Sequence, residues 1–454
     1  MSTMVLPTAA DQPTGEARTG WDRPWVTAII CAALVVGGAF ITFFRVPAAH
    51  HDVVWAEDAH IFLLQAVRQG PFEVLAQGYA GYQHLIPRLV AGGIVSTTPL
   101  EAYPVAVFIA CSIMTGLVAA AVFLLARTVV PWLPARAALA LITLLIPLSA
   151  QEVIGNLADF HTFCLWLGVW LIFATPRTWT ASWLWAIVAF ACIMTEVQMI
   201  ALLAIIPFRA RRRDRPAWPI FGGLLAGAVW QVLTIVTVPR DAAPLPLSQD
   251  TVVNGWLASA VLSLWEPDSK ASRVILDDTG TLIPALVAGC IVVLGIAGIT
   301  FGGYLQRLLL LGLIVGSFAV YAVSLIANSA FLEPFAEDPD TLLEYLLNIR
   351  YGVAPGMFLS AVVPVSIGIL VARFDTLALR IVGGIALVAM IAVFVSADFR
   401  AESSRGGGPA WSKSVRAAVE QCESGIPLAQ QPRLPVAPGR WLYLSCEEME
   451  ARAG

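Results

Sequence analysis

Charge is scarce in this 454-residue chain. Only 13% of its residues are charged, and lysine occurs only at Lys270 and Lys413. A soluble domain usually carries about 25% charged residues. The net charge of −4 is small and gives no sign of a nucleic-acid partner. CxxC, HExxH, Walker and GxGxxG patterns are also absent from the sequence, which excludes the common zinc and nucleotide motifs.

Apolar sequence is what the chain has in abundance, since 58% of its residues are hydrophobic. Repeated apolar runs of about 20 residues are typical of helices that cross a bilayer. We therefore predict an all-α, polytopic transmembrane bundle of about eleven spans in a lipid bilayer. The predicted spans are residues 25–44, 102–126, 137–154, 160–175, 217–238, 282–302, 308–328, 353–372 and 377–397, with 180–208 counted as two half-length spans that turn near Glu196.

The regions between and around the spans define the domain organisation. Residues 1–22 are predicted to be a disordered cytoplasmic leader, and residues 23–397 the membrane domain. Within the membrane domain, residues 45–101 form a large loop with short surface helices. Residues 398–454 form a small polar α/β tail, linked to the bundle by the glycine-rich run at 406–409.

Two of the seven cysteines, Cys422 and Cys446, lie in the polar tail. In an oxidising compartment outside the membrane they are predicted to form a disulfide. We expect a short helix from Trp411 to Cys422 and a short strand from Arg440 to Cys446, because the latter alternates apolar and polar residues. The tail is a cap on a cavity, an acceptor-binding element or a stabilising appendage.

Arginine and acidic residues are distributed unequally between the two sides of the predicted bundle. The Arg209–Arg215 block and the other span-flanking arginines fall on one side, and most loop acids fall on the other. The positive-inside rule then places the N-terminus in the cytoplasm and the tail outside. A single tilted helix over 180–208 is the alternative, and it would place the later arginines on the wrong side.

The polar residues on the predicted outer side form several groups. The acidic pair Glu57-Asp58 follows the first span. Ionisable groups near a bilayer are costly to place and tend to mark function. The candidate catalytic residues are Glu57 and Asp58, and the candidate substrate-binding residues are Tyr82, His84, Arg88, Asp159, His161, Glu196, Arg350 and Tyr351.

These residue types suit the transfer of a sugar from a lipid-linked donor. A carboxylate can take the proton of an acceptor hydroxyl as it attacks the anomeric carbon. Arginine can hold the leaving phosphate, because its planar guanidinium binds phosphate oxygens bidentately. A divalent cation such as Mg or Mn between carboxylate and phosphate is compatible with the sequence but not required by it. The histidine spacing indicates no metal site.

Trp55 and the Glu57-Asp58 pair are followed by Gly78-Tyr79, Pro87-Arg88-Leu89 and a span that ends at Arg127. This order resembles the GT-C class of integral membrane glycosyltransferases and uncharacterised actinobacterial multi-span membrane proteins. The resemblance implies a polyprenyl-phosphate sugar donor, a cell-envelope glycan or lipid acceptor, and action on the outer face of a bacterial plasma membrane. The family usually carries Asp-Glu or Asp-Asp, so either acid of this chain is a candidate for the base.

Other functions and simpler roles remain open for the same residues. A transporter or flippase of lipid-linked glycans would use ionisable residues near the bilayer midplane, where Glu196 is predicted. A non-catalytic membrane scaffold would keep the layout without the chemistry. Arg88 could instead extend to lipid headgroups, and Asp159 and His161 could pair with each other or cap the next span.

Overall fold

The computed structural model describes residues 23–212, 214–238, 240, 244–335, 339–347, 349–399, 403–425 and 431–450. The predicted leader 1–22 lies outside these residues. The described chain is mostly helical, which confirms the all-α prediction. The helices are α1 Pro24–Arg45, α2 Leu64–Gln69, α3 Leu85–Thr97, α4 Tyr103–Ala126, α5 Leu133–Leu145, α6 His161–Phe173, α7 Trp179–Ile193, α8 Met199–Leu202, α9 Ile206–Ala210, α10 Trp218–Thr237, α11 Gln249–Trp256, α12 Ser269–Thr279, α13 Leu282–Phe301, α14 Tyr304–Ala327, α15 Pro339–Leu347, α16 Val353–Phe374, α17 Leu377–Asp398, α18 Trp411–Glu423 and α19 Cys446–Glu450.

Shorter elements join these helices. Two antiparallel hairpins are present among the described residues, β1 Gly78–Tyr79 with β2 Tyr82–Gln83 and β3 Arg433–Val436 with β4 Arg440–Tyr443. The π-helical segments are Asp58–Leu63 and Leu257–Val261. The 3₁₀ segments are Ala48–His50, Leu100–Ala102, Ala158–Phe160, Leu203–Ile205, Arg215–Ala217, Leu262–Leu264, Ser329–Phe335 and Arg350–Gly352.

The described residues contain 7 helices that are long and apolar enough to cross a membrane, as in a multi-pass membrane protein. They are α1, α4, α10, α13, α14, α16 and α17, some extended by the adjoining 3₁₀ turns. Several other apolar helices, including α3, α5, α6 and α7, are shorter, so the predicted count of eleven spans is not confirmed. Exposed apolar side chains such as Val236 and Val388 indicate contact with lipid.

The core of the bundle lies around α4, α6 and α16, whose side chains are mostly buried. Trp166 and Trp170 of α6 are fully buried, and the Trp166 indole donates a hydrogen bond to Thr143 at 2.8 Å. Proline occurs in the first turn of α4 and α5, where its missing N–H costs nothing. Helix α6 is apolar on every face because other helices enclose it.

The predicted span at residues 137–154 is wrong in its second half. Helix α5 ends at Leu145, and the chain then turns, with Leu148 at a positive φ of 69°. Buried Arg45 stabilises this end by donating to the carbonyl oxygen of Leu144 at 2.7 Å and by pairing with Asp398 at 3.2 Å. The ends of α1, α5 and α17 are thus held together, and residues 146–157 become a folded loop over the bundle.

The long apolar stretch at 180–208 is interrupted where its polar residues predict a break. Helix α7 ends at Ile193, and α8 begins at Met199. The interruption at Glu196 is therefore confirmed. That the two parts cross the bilayer as half-length spans stays a prediction.

The tail shares a hydrophobic core with the loop at 45–101. Its helix from Trp411 and its strand from Arg440 are present as predicted. The Trp411 indole is buried and donates to the carbonyl oxygen of Leu100 at 2.7 Å. Ala437 bridges to Trp55, which joins the tail to the segment that carries the acidic pair. The tail is thus an integral part of the loop's fold.

Cys422 and Cys446, the predicted pair, form a disulfide with 5.4 Å between their Cα atoms. The bond ties α18 to α19 within the shared core. The glycine-rich run expected to act as a linker is instead a packed turn. Its Gly408 N–H donates to the Arg405 carbonyl oxygen at 2.9 Å, and a Cβ at Gly408 would lie 2.6 Å from Val53.

Candidate functional site

Asp58 lies at the start of the π-helical segment Asp58–Leu63 and is buried. Its carboxylate accepts hydrogen bonds from the backbone N–H groups of Leu157 at 3.1 Å and Ala158 at 3.0 Å. Burial raises the pKa of Asp58 to about 7, although the two N–H groups act in the opposite direction. Because these N–H groups begin the turn into α6, Asp58 acts as a cap for that turn.

Glu57 occupies a different environment from its neighbour. Its side chain is partly exposed and accepts no hydrogen bond from any described residue. Its charge acts on both Asp159 and Arg350. The preceding Ala56 has a positive φ of 28°, which is rare without glycine, and its N–H donates to the Ala437 carbonyl oxygen at 2.7 Å. Of the two acids, only Asp58 has its carboxylate oxygens occupied by hydrogen bonds from described residues.

Asp159 and Arg350 come from distant regions and lie side by side. Arg350 Nε is 3.2 Å from Asp159 Oδ1, and the Asn156 amide donates to Asp159 Oδ2 at 2.6 Å. Arg350 begins the 3₁₀ turn that leads into α16. Gly352 in this turn packs so closely that an added Cβ would lie 2.2 Å from the Ser259 carbonyl oxygen. Only glycine fits there, and this close packing fixes the position of Arg350.

Glu152 is absent from the predicted site residues but lies at the centre of the cluster. Its Oε1 accepts hydrogen bonds from Arg350 Nη1 and, at 3.2 Å, from Trp55 Nε1. Glu152 therefore connects the segment that carries Glu57 to the start of α16. The available sequence signal was a carboxylate inside the apolar segment predicted as the span 137–154.

His161 and Glu196 are joined by a hydrogen bond between Nδ1 and Oε2. His161 Nε2 also lies 3.8 Å from Asp159 Oδ1. The other oxygen of Glu196 accepts from the Gln198 N–H at 2.7 Å, and the Gln198 amide donates to Ser324 at 2.8 Å. The break between α7 and α8 thus brings Glu196 into the same cluster and ties it to α14.

Tyr82 and His84 border this cluster, with ring centroids 4.0 Å apart. Tyr82 lies within electrostatic range of Glu196 and Arg350, and His84 lies within range of His161. Burial lowers the pKa of His84 to about 3, so its imidazole is neutral at physiological pH. Both residues therefore lie at the edge of the cluster, and their role in substrate binding stays a prediction.

Arg88 is not brought into the cluster. Its Nη1 donates to the Gln65 amide oxygen at 2.5 Å, and its guanidinium lies 5.9 Å from the centroid of the Phe62 ring. Only 1% of its surface is exposed, so it does not extend to lipid headgroups either. Among the described contacts, none links Arg88 to the carboxylates around Arg350.

Two adjoining cavities open at the cluster, one of about 510 Å³ and one of about 20 Å³. The larger is within the usual size range of ligand sites, about 300–1,000 Å³. Arg350 and Tyr351 line both cavities. The larger cavity is also lined by Glu152, Asn328, Phe331, Tyr345 and Ile349, and the smaller by His161, Thr162, Leu165, Glu196, Gln198, Val320, Ser324 and Ala354.

The carboxylates do not form a metal site. Within the described ranges, no group of three or more His, Cys, Asp or Glu side chains is arranged to hold a metal ion. Glu152 and Asp159 are paired with Arg350, and Glu196 is bonded to His161. Since these acids already have basic partners, they do not fit a Mg or Mn ion, and we assign no step to one.

The cluster assembles groups from four separate parts of the chain, namely residues 55–58, 152–161, 196–198 and 350–351. No family model, curated protein or solved structure matches this chain. A possible function is therefore inferred from the chemistry of the cluster. Its distinctive features are a free carboxylate, an oriented guanidinium and an adjoining cavity.

Proposed function

We propose that this chain is a GT-C-type membrane glycosyltransferase that moves a sugar from a polyprenyl-phosphate donor to a cell-envelope glycan or lipid acceptor. The observation that carries the proposal is the position of Arg350, which lines the larger cavity, lies 3.2 Å from Asp159 and is within electrostatic range of Glu57. Such a reaction needs a base for the acceptor hydroxyl and a cation for the leaving phosphate. The cluster supplies a group suited to each task.

Glu57 is the proposed general base. Its carboxylate takes the proton of the acceptor hydroxyl while the hydroxyl oxygen forms a bond to the anomeric carbon of the donor sugar. The bond from that carbon to the phosphate oxygen breaks, and polyprenyl phosphate leaves with the bonding electrons. Glu57 suits this role better than Asp58, because both Asp58 oxygens already accept backbone N–H groups.

Arg350 is the proposed partner of the leaving phosphate. Glu152 holds Nη1 and Asp159 lies beside Nε, so the guanidinium plane is oriented before a substrate arrives. Its Nη2 makes no hydrogen bond to any described residue and is free to donate to a phosphate oxygen. Pre-oriented donors of this kind stabilise charge that develops on a leaving group.

His161 and Glu196 line the adjoining cavity of about 20 Å³, which has room for about one water molecule, and are proposed to support the site from behind Arg350. A transporter would place ionisable residues near the bilayer midplane. Glu196 lies in the same cluster as the other acids, and this favours a transferase over a transporter. The proposed setting is a bacterial plasma membrane. In it the N-terminus is cytoplasmic and the tail lies on the outer face, as the arginine distribution favours.

The test uses purified protein in lipid nanodiscs, supplied with polyprenyl-phosphate sugars and an envelope glycan extract. Release of polyprenyl phosphate is measured for the wild type and for Glu57→Gln, Asp58→Asn and Glu73→Gln. Glu73 is an exposed acid of the same loop and serves as the control. We expect Glu57→Gln to reduce release by about 100-fold or more. Asp58→Asn is expected to affect release mainly by changing protein stability, because Asp58 is not the proposed base. Glu73→Gln is expected to match the wild type.

Wild-type levels of release by Glu57→Gln would show that this carboxylate is not the base. If the wild type releases no polyprenyl phosphate from any donor tested, the transferase proposal fails, and a transporter or scaffold becomes the better explanation.

A further inference from the structure

Aromatic side chains form one wall of the larger cavity. The Phe331 ring lies 5.7 Å from the Tyr345 ring and 6.2 Å from the Tyr351 ring, measured between centroids. Phe331 and Tyr345 are 36% and 41% exposed. Exposed aromatic rings beside a polar cavity present flat apolar faces to whatever enters it.

Polar atoms with unused hydrogen-bonding capacity stand in the same cavity. Glu152 Oε2, Arg350 Nη2 and the Tyr351 hydroxyl make no hydrogen bond to any described residue. Asn328 is held in place, since its Oδ1 accepts from Arg240 at 2.9 Å and its Nδ2 donates to a backbone carbonyl oxygen at 2.8 Å. The cavity therefore combines aromatic faces with fixed donors and acceptors.

The charges that line the cavity are balanced. Glu152 and Arg350 form an ion pair with each other, and the remaining described lining residues are uncharged. Apart from the donor phosphate proposed at Arg350, a ligand that fits such a lining is neutral and rich in hydroxyl groups, because each hydroxyl can both donate and accept. A lipid chain would leave these buried or half-buried polar groups unpaired, at a cost in free energy.

We propose that the larger cavity binds a neutral saccharide, which is the acceptor end of the glycan in the proposed transfer. The apolar face of a sugar ring stacks on Phe331 and the neighbouring tyrosines, and its hydroxyls bind Glu152 and Tyr351, which leaves Arg350 Nη2 to the donor phosphate. The acceptor assignment rests on the proposed function. Saccharide binding itself does not, since it needs only the cavity and its lining.

Binding is tested separately from transfer. Neutral gluco-, manno-, galacto- and arabino-oligosaccharides are titrated into the nanodisc-embedded protein, and binding is followed by saturation-transfer NMR and calorimetry. The variants are Phe331→Ala, Phe331→Tyr and the control Phe72→Ala, which removes an exposed aromatic ring of the 45–101 loop. We expect at least one sugar series to bind the wild type with a Kd of about 1 mM or tighter.

Phe331→Ala is expected to weaken that binding at least about tenfold, which is about 1.4 kcal/mol. Phe331→Tyr keeps a ring and is expected to restore binding, which separates loss of stacking from misfolding. Phe72→Ala is expected to bind as the wild type does. Wild-type affinity in Phe331→Ala, or no binding of any saccharide by a protein that turns over donor, would overturn the inference. Saccharide binding without any transfer would instead leave the inference standing and remove the proposed function.

Discussion

The Asp58→Asn substitution tests whether the buried acid is a folding element instead of the base. Asn keeps one acceptor oxygen and places an NH2 group against the other N–H, whereas both oxygens of Asp58, protonated at low pH, can accept from Leu157 and Ala158. One buried N–H left without a partner costs about 1–3 kcal/mol. At low pH we therefore expect the variant to be less stable than the wild type by that amount.

The difference is expected to reverse as the pH rises. Burial raises the pKa of Asp58 from 3.8 to about 7 in the folded protein, so the folded state binds the Asp58 proton more tightly than the unfolded state. The wild type then loses stability as the pH rises from about 4 to about 7. At about 1.4 kcal/mol per pKa unit, the loss is about 4 kcal/mol. Since Asn does not titrate, the variant becomes the more stable protein above neutral pH.

The assay follows thermal unfolding of both proteins by tryptophan fluorescence in one detergent, at steps between about pH 4 and pH 8. The quantity compared is the difference between the two unfolding midpoints at each pH. Glu73→Gln, in an exposed part of the same loop, controls for general effects of removing an acid. A midpoint difference that does not change with pH would refute the argument that burial of Asp58 controls its charge.

Three further outcomes follow from the structure. Glu152→Gln removes the carboxylate that holds Arg350, and we expect polyprenyl-phosphate release to fall about 10- to 100-fold at unchanged stability. Serine at both Cys422 and Cys446 opens a disulfide between residues 24 apart, and we expect about 3 kcal/mol less stability in non-reducing unfolding experiments. Gly352→Ala places a methyl group 2.2 Å from a carbonyl oxygen, and we expect about 1–3 kcal/mol of destabilisation by thermal unfolding, with reduced release.

Each of these variants has a matched control in the chain. Glu73→Gln, Cys290→Ser and Gly289→Ala are each expected to match the wild type. Cys290 is a free, exposed thiol, and a Cβ at Gly289 would meet nothing within 4 Å. Unchanged release in Glu152→Gln, unchanged stability in the double serine variant, or an equal effect of alanine at Gly289 and Gly352 would contradict the corresponding argument.

The helical, membrane-embedded character of the chain could be predicted because apolar length is a local property. The break at Glu196 was predictable for the same reason, since polar residues interrupt an apolar run. The end of α5 was not. Leu148 and its neighbours are apolar, yet they form a loop because Arg45 and Asp398 from other helices bind there. Apolar sequence indicates burial and cannot by itself distinguish a buried loop from a span.

The site could be predicted in part. Asp159, His161, Glu196 and Arg350 lie together, and each could be selected from the sequence because charged residues flanking apolar segments are few. Which of Glu57 and Asp58 is buried and hydrogen-bonded could not be predicted. It depends on which side chain faces the N–H groups of residues 157 and 158. That is determined by a tertiary contact between residues about 100 positions apart in the sequence.

The core shared by the tail and the loop has a consequence for the order of synthesis. The His60 imidazole contacts the Trp441 carbonyl oxygen across 381 residues of sequence, and Ala56 depends on Ala437 in the same way. A ribosome therefore synthesises every described helix of the bundle before the tail segment that contacts Ala56 and His60 leaves the exit tunnel. During that interval the loop has apolar surface without its native cover, a state that chaperones recognise. Premature termination anywhere before the Trp441 codon removes the tail contact of His60, and termination before Ala437 also removes that of Ala56, so the segment around the acidic pair is completed only at the end of synthesis.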